Sequence, residues 1–204
     1  VLSPNEKTSI HGYYAARADR FYESAERCGW ISTFTQTLRF QAITTGGDLS
    51  SARLLDVGCG TADLLGFLEE TYESVIYTGL DFLPSFIVTA QTTYPGSKFI
   101  EADFFDYPLP ENPYDYVFSV GAFNHRTQDN EATLRLALRK MFEMAKVGIG
   151  VSLLSDLSPP ELKRAKALFY YTPSRVLEIA MEITPFVELK THYLPNDMTL
   201  MLYR

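Results

Sequence analysis

The stretch Leu54-Leu55-Asp56-Val57-Gly58-Cys59-Gly60-Thr61-Ala62-Asp63-Leu64 constrains the fold of this chain more than any other. An apolar run breaks there into a glycine turn and resumes with helical spacing. Arg53 to Val57 has strand composition, and Asp63 to Glu70 sets Leu64, Leu65, Phe67 and Leu68 at helical intervals. Between them, Gly58 and Gly60 supply backbone conformations and close approaches that a Cβ obstructs. A strand, a glycine turn and a helix in this order place a ligand at the carboxyl end of the strand.

A glycine turn after a strand also opens dinucleotide-binding domains, whose fingerprint is G-x-G-x-x-G. The third glycine is absent here, position 63 is the carboxylate Asp63, and no lysine follows the turn as a P-loop requires. A ligand without phosphates at the turn fits better. Three further strand-like runs end in polar or glycine residues. Val75 to Leu80 runs into Asp81, placed to accept hydrogen bonds from ribose hydroxyls. Lys98 to Ala102 runs into Asp103-Phe104, a carboxylate and an aromatic suited to an adenine amine and face. Tyr114 to Val120 runs into Gly121-Ala122-Phe123-Asn124-His125. Taken singly, Asp56, Asp81 and Asp103 also read as turn or helix-capping residues. Together and in order they describe one site.

This ordered set resembles the class I S-adenosylmethionine-dependent methyltransferases over about Arg53 to Leu154. The first family motif, an acidic residue followed by G-x-G-x-G, is matched by Asp56, Gly58 and Gly60, with Ala62 in place of the last glycine. The resemblance assigns the ribose carboxylate to Asp81 with Phe82 as an adenine wall, the adenine contacts to Asp103 and Phe104, and the methionine side to Ser119, Val120 and Gly121. It implies S-adenosylmethionine as cofactor and S-adenosylhomocysteine as product. The implied fold is an α/β Rossmann-like, seven-stranded, mostly parallel sheet with an antiparallel last strand, helices on both faces and an N-terminal helical lid.

Length and composition agree with one domain over residues 1–204, a lid over 1–50 and a core over 51–204, with 46% hydrophobic residues. A net charge of −7 argues against a nucleic-acid surface, which needs a basic stripe. The end of the fourth strand also lacks the Asn/Asp-Pro-Pro-Tyr/Phe loop of methyltransferases acting on nucleic-acid bases. Cys28 and Cys59 read as free thiols. His11, His125 and His192 are scattered without zinc spacing, so no metal is expected. No membrane span or leader is read, and the expected location is the cytoplasm.

The remaining pattern predicts helices over Pro84 to Thr93, Asp129 to Lys146, Glu161 to Phe169 and Thr172 to about Ile183, with strands over Gly148 to Leu154, Val187 to Tyr193 and Thr199 to Tyr203. Upstream of the motif, Tyr13 to Gly29 and Trp30 to Ile43 carry helical periodicity, and Gly29-Trp30, Gln36 and Arg39-Phe40 resemble the N-terminal segment of small bacterial methyltransferases. Arg39 is the candidate partner of the cofactor carboxylate, and Trp30 a candidate to pack on the cofactor. The alternatives are a salt bridge or surface cation for Arg39 and a core position for Trp30.

Asn124 and His125 are the catalytic candidates, placed to orient or deprotonate an acceptor. His125 reads equally as a loop histidine beside Arg126. Tyr14, Tyr170, Tyr171 and His192 are candidate substrate contacts, with Asp197 beside them on the terminal hairpin. The expected reaction is in-line transfer of a methyl group to an N or O atom of a small molecule. An NAD-dependent oxidoreductase and a non-catalytic cofactor-binding module are the competing readings, and the sequence leaves the oligomeric state open.

Overall fold

The computed structural model describes residues 2–163 and 166–204, the side chains of Ala18 and Asp19 excepted. Seven strands form one sheet: β1 Arg53–Val57, β2 Ile76–Asp81, β3 Lys98–Glu101, β4 Tyr114–Val120, β5 Ala145–Leu154, β6 Val187–Lys190 and β7 Asp197–Tyr203. Their order is β3-β2-β1-β4-β5-β7-β6. β1 pairs in parallel with both β2 and β4, and β7 lies antiparallel between β5 and β6. Strand order reverses between β1 and β4, and in open α/β sheets that switch point opens a crevice at the carboxyl ends.

Central strands buried on both faces read as continuous apolar runs, and two cores explain why. On one face α6 Asn130–Met144 and α7 Pro173–Met181 bury Leu134, Leu138, Met141, Val176 and Ile179 against Val117, Ile149 and Val151. On the other, α3 Thr33–Thr44, α4 Asp63–Thr71 and α5 Pro84–Thr93 bury Phe40, Ile43, Leu64, Leu68 and Ile87 against Leu54 and Phe118. α3 is thus part of the core packing as well as of the N-terminal cover.

Two helical expectations are corrected. The N-terminal helix is α1 Pro4–Arg20, followed by the short α2 Ser24–Arg27, not a helix over Tyr13 to Gly29. A capping box starts α1: the Ser3 hydroxyl accepts from Glu6 N–H and Glu6 Oε2 accepts from Ser3 N–H at 2.7 Å, with Pro4 at the first helical position. The helix expected over Glu161 to Phe169 is a 3₁₀ turn at Pro160–Leu162, and Arg164 and Ala165 lie outside the described residues. The backbone beyond it pairs sideways. Phe169 N–H donates to Asn124 O at 2.7 Å, and Arg126 N–H donates to Ala167 O at 2.8 Å, so these groups serve tertiary contacts in place of a helical ladder.

Ala62, at the third motif position, caps α4 in the left-handed region at φ 67 and is fully buried. A Cβ costs about 1–2 kcal/mol there, offset in part by the greater chain entropy of glycine. Ala62→Gly is therefore expected to raise stability by about 1 kcal/mol and Tm by about 2–4 °C, read by calorimetric unfolding.

Candidate active site

The carboxyl ends of β1, β2 and β4, together with the loop after β3, open into one cavity of about 440 Å³, within the size range of cofactor and substrate pockets. Its floor is the glycine turn. Gly58 has φ +72, and a Cβ there would collide with the Ala122 side chain. The Gly58 and Cys59 N–H groups both donate to Leu80 O, at 2.7 and 3.1 Å, which folds the turn across the end of β2.

Three carboxylates ring this floor. Asp56 is buried, accepts the Tyr77 hydroxyl at 2.7 Å, and is pushed up to about 7 by burial, against the pull of that bond. Asp81 ends β2. Its Oδ2 accepts Gly60 N–H and its Oδ1 accepts Leu83 N–H, both at 2.9 Å. Burial raises it to about 6, and backbone N–H bonds oppose the rise. Asp103 accepts Phe105 N–H at 2.8 Å and pairs with Lys7 of α1 at 2.5 Å. Phe82 and Phe104 also line the cavity, Phe104 in edge contact with Phe105 and Phe123.

The N-terminal elements close over this floor through Asp63, a residue whose sequence context spoke only against a phosphate. Asp63 accepts Gln36 Nε2 at 2.8 Å, Ser24 Oγ at 2.5 Å and Thr61 Oγ1 at 3.2 Å, and so ties α2 and α3 to the first turn of α4. The signal for it was present in the helical segment around Gln36. A polar side chain on the buried face of a helix needs a partner. Gly121, at φ +82, lies under Trp30, whose ring tip would be 2.5 Å from an added Cβ. Trp30 and Val120 line the cavity as well.

Arg39 lines the cavity, but its guanidinium is committed. Nε donates to Asp197 at 2.7 Å, Nη1 donates to Thr35 O at 2.8 Å, and the group lies 4.5 Å from the Trp30 ring centroid. It acts as a buttress for Trp30 and not as an open clamp for a carboxylate. Asp197 is correspondingly not a substrate contact. Its second oxygen accepts the hydroxyls of Ser152 at 2.9 Å and Tyr193 at 2.5 Å.

Asn124 and His125 both face the cavity. Asn124 Oδ1 accepts Leu154 N–H at 2.9 Å, which fixes the loop after β4 against β5. His125 is 5% exposed, flanked edge-on by Tyr13 and Tyr14 at centroid distances of 4.8 and 5.2 Å. Its Nε2 is buried with no hydrogen-bond partner. Burial alone lowers its pKa from 6.5 to about 4. Between those values the unfolded chain binds the proton that the folded one refuses, so the neutral imidazole removes stability as pH falls through that window.

Tyr14 and Tyr170 line the cavity, and two candidate substrate contacts do not. Tyr171 is buried beneath it, donating its hydroxyl to Phe123 O at 2.8 Å. Packing against the α6 and α7 core draws that ring inward. His192 is exposed in the connection between β6 and β7, because β6 ends at Lys190 and the expected extension to Tyr193 is absent.

This strand order and glycine turn define the fold of the class I S-adenosylmethionine-dependent methyltransferases. Comparison with known proteins agrees: residues 54–148 match the family model described as a methyltransferase domain. The chain is 33% identical over 85 residues to a probable phthiotriol/phenolphthiotriol dimycocerosates methyltransferase of Mycobacterium ulcerans, a match covering 41% of this chain and 33% of that protein. It is 24% identical over 177 residues to the demethylmenaquinone methyltransferase of Bacillus licheniformis, covering 81% of this chain and 70% of that protein. The first of these matches thus spans about a third of its relative's length. In fold, the chain is similar to the magnesium protoporphyrin IX methyltransferase of Synechocystis PCC 6803, solved with S-adenosylhomocysteine bound, with TM-score 0.70 and 14% identity over 97% of this chain and 99% of that one. Among the described residues no helix is long and apolar enough to cross a membrane.

Proposed function

We propose that this protein transfers a methyl group from S-adenosylmethionine to an N or O atom of a small molecule. The carrying observation is the ring of Asp56, Asp81 and Asp103 around the glycine turn, facing one cavity beneath Trp30 and Tyr14. These residues suit the cofactor by chemistry: carboxylates for ribose hydroxyls and an adenine amine, aromatic side chains at Phe82 and Phe104 for a purine, and glycine backbone for close approach.

Bound S-adenosylmethionine supplies an electrophilic methyl group on a sulfonium. The protein's task is to hold an acceptor in line with that carbon and to exclude water. Asp81 holds the ribose, Gly58 and Gly60 bring backbone to the methionine portion, and Trp30 on its Arg39 buttress covers Gly121. Asn124 keeps the loop after β4 in place, and His125 orients the acceptor or takes its proton.

Isothermal calorimetry with S-adenosylhomocysteine and, separately, NAD tests the cofactor reading. Binding of S-adenosylhomocysteine without NAD is the expected result. NAD binding alone would move the assignment to an oxidoreductase, and binding of neither would favour a non-catalytic module.

A further inference from the structure

Resting on the methyltransferase reading, we infer that the acceptor is an uncharged aromatic hydroxyl compound, its ring set against Tyr13, Tyr14, Leu162, Leu168 and Tyr170 and its hydroxyl hydrogen-bonded to His125 Nε2.

Two observations meet here. A buried ring nitrogen without a partner leaves a hydrogen-bonding group unsatisfied, at a cost of about 1–3 kcal/mol that persists where function needs the group. His125 Nε2 is such an atom, on a side chain lining the cavity. A hydroxyl satisfies it in either tautomer, since it both donates and accepts.

The second observation is the charge of the walls. The cationic side chains lining the cavity, among the described residues, are Arg17 and Arg39. Arg39 is paired with Asp197, while Arg17 donates Nε to Glu26 O at 2.8 Å and covers the Phe21 ring at 4.7 Å. Asp56, Asp63, Asp81 and Asp103 share the same cavity. A carboxylate or phosphate acceptor beside His125 would add negative charge to a cavity whose acidic side chains outnumber its two guanidiniums. The apolar and aromatic side chains beside His125 instead favour a flat ring, by area and by edge-to-face contact.

In the transfer the acceptor oxygen forms a bond to the methyl carbon as the carbon–sulfur bond breaks. The hydroxyl proton passes to His125 Nε2 and from there to solvent. The positive charge of the sulfonium thus passes through the imidazole and leaves with that proton. Tyr13 and Tyr14 belong to α1, so an acceptor reaches Nε2 by displacing ring edges carried on that helix.

2-Naphthol, 2-naphthylamine and 2-naphthoate share a ring and differ in the reacting group, which makes them suitable probes. With enzyme saturated in S-adenosylhomocysteine, calorimetry should show 2-naphthol binding at least tenfold tighter than 2-naphthoate. With S-adenosylmethionine, 2-naphthol should yield its methyl ether, and His125→Asn should lower kcat by about 10²–10⁴ with KM changed far less, while turnover of 2-naphthylamine falls less than tenfold. The chain has three histidines, so ¹⁵N-imidazole spectra of the wild-type protein give a reading that needs no variant: the His125 Nε2 resonance should shift on adding 2-naphthol. Preference for the naphthoate, an unmoved His125 resonance, an unchanged kcat in a folded His125→Asn protein, or no naphthyl binding to the S-adenosylhomocysteine complex would each overturn the inference. Failure of S-adenosylhomocysteine itself to bind would instead remove the cofactor reading beneath it.

Discussion

Asp81→Ala is expected to weaken S-adenosylhomocysteine binding by about 1–3 kcal/mol, roughly 5- to 150-fold in Kd, through loss of charge-assisted hydrogen bonds to the ribose. The same carboxylate accepts Gly60 N–H from the glycine turn and Leu83 N–H before α5, so its removal also loosens the floor of the cavity. Burial holds its pKa near 6. The folded chain binds the proton more tightly than the unfolded one, so ionisation of Asp81 costs the ligand-free fold stability as pH rises from 3.8 through about 6. Ligand hydroxyls recover part of that cost. Calorimetry should therefore show wild-type affinity falling between pH 8 and pH 5, and a smaller fall in Asp81→Ala. Equal affinities of the two folded proteins at pH 8 would take Asp81 out of the site.

The sheet was legible in the sequence because parallel strands buried on both faces leave an unambiguous apolar record. β1 and β4 begin and end where composition places them, and α5 runs over the Pro84 to Thr93 expected from its spacing. The proline at its first turn marks its start without help from tertiary contacts. The N-terminal region was less legible. The Ser3-Pro4-Asn5-Glu6 capping signal that starts α1 was readable but is overshadowed by aromatic periodicity farther along. In the segment after β5, local propensity lost to tertiary pairing, since Phe169 N–H donates to Asn124 O while Arg126 donates to the carbonyls of Ala167 and Leu168, contacts that only the folded sheet brings together.

For the site, what could be read were residues fixed by the fold itself. Asp56, Gly58, Gly60, Asp81 and Gly121 are tied to strand ends and turns, and they line one cavity as a result. Side chains whose roles depend on distant partners were not legible in this way. Arg39 and Asp197 stand 158 positions apart, and nothing local tells either that it faces the other. Tyr170 and Tyr171 are neighbours in sequence, yet one faces the cavity and the other packs inward, a difference set by the extended backbone pairing of Ser155 with Tyr171. Asp63 spoke in the sequence only against a phosphate, and the closure of α2 and α3 over the turn makes it a junction.

Asp197→Ala is expected to be the most destabilising of these single changes, at about 3–5 kcal/mol, because it leaves the Arg39 guanidinium charged and unpaired in the interior. Both side chains are almost wholly enclosed, 4% exposed for Arg39 and 0% for Asp197, so solvent cannot take over the pairing. For a chain of this length that loss lowers Tm by about 6–20 °C. Arg39→Met leaves Asp197 with the Ser152 and Tyr193 hydroxyls but no cation, and should cost a comparable amount. The double variant Arg39→Met with Asp197→Asn removes both charges and keeps an amide oxygen for the hydroxyls. It should recover more than half of the single-variant loss, since each single change destabilises mainly by orphaning a buried charge and only secondarily by removing an attraction. Function separates from stability in this series. Every variant lacking the Arg39 guanidinium also loses the cation stacked on Trp30, so the double variant should regain Tm while its S-adenosylhomocysteine affinity stays below that of wild type. Thermal unfolding and calorimetry on the same four proteins read both quantities. A double variant no more stable than the singles would refute the orphaned-charge account, and one with wild-type affinity would show that Trp30 covers Gly121 without the help of Arg39.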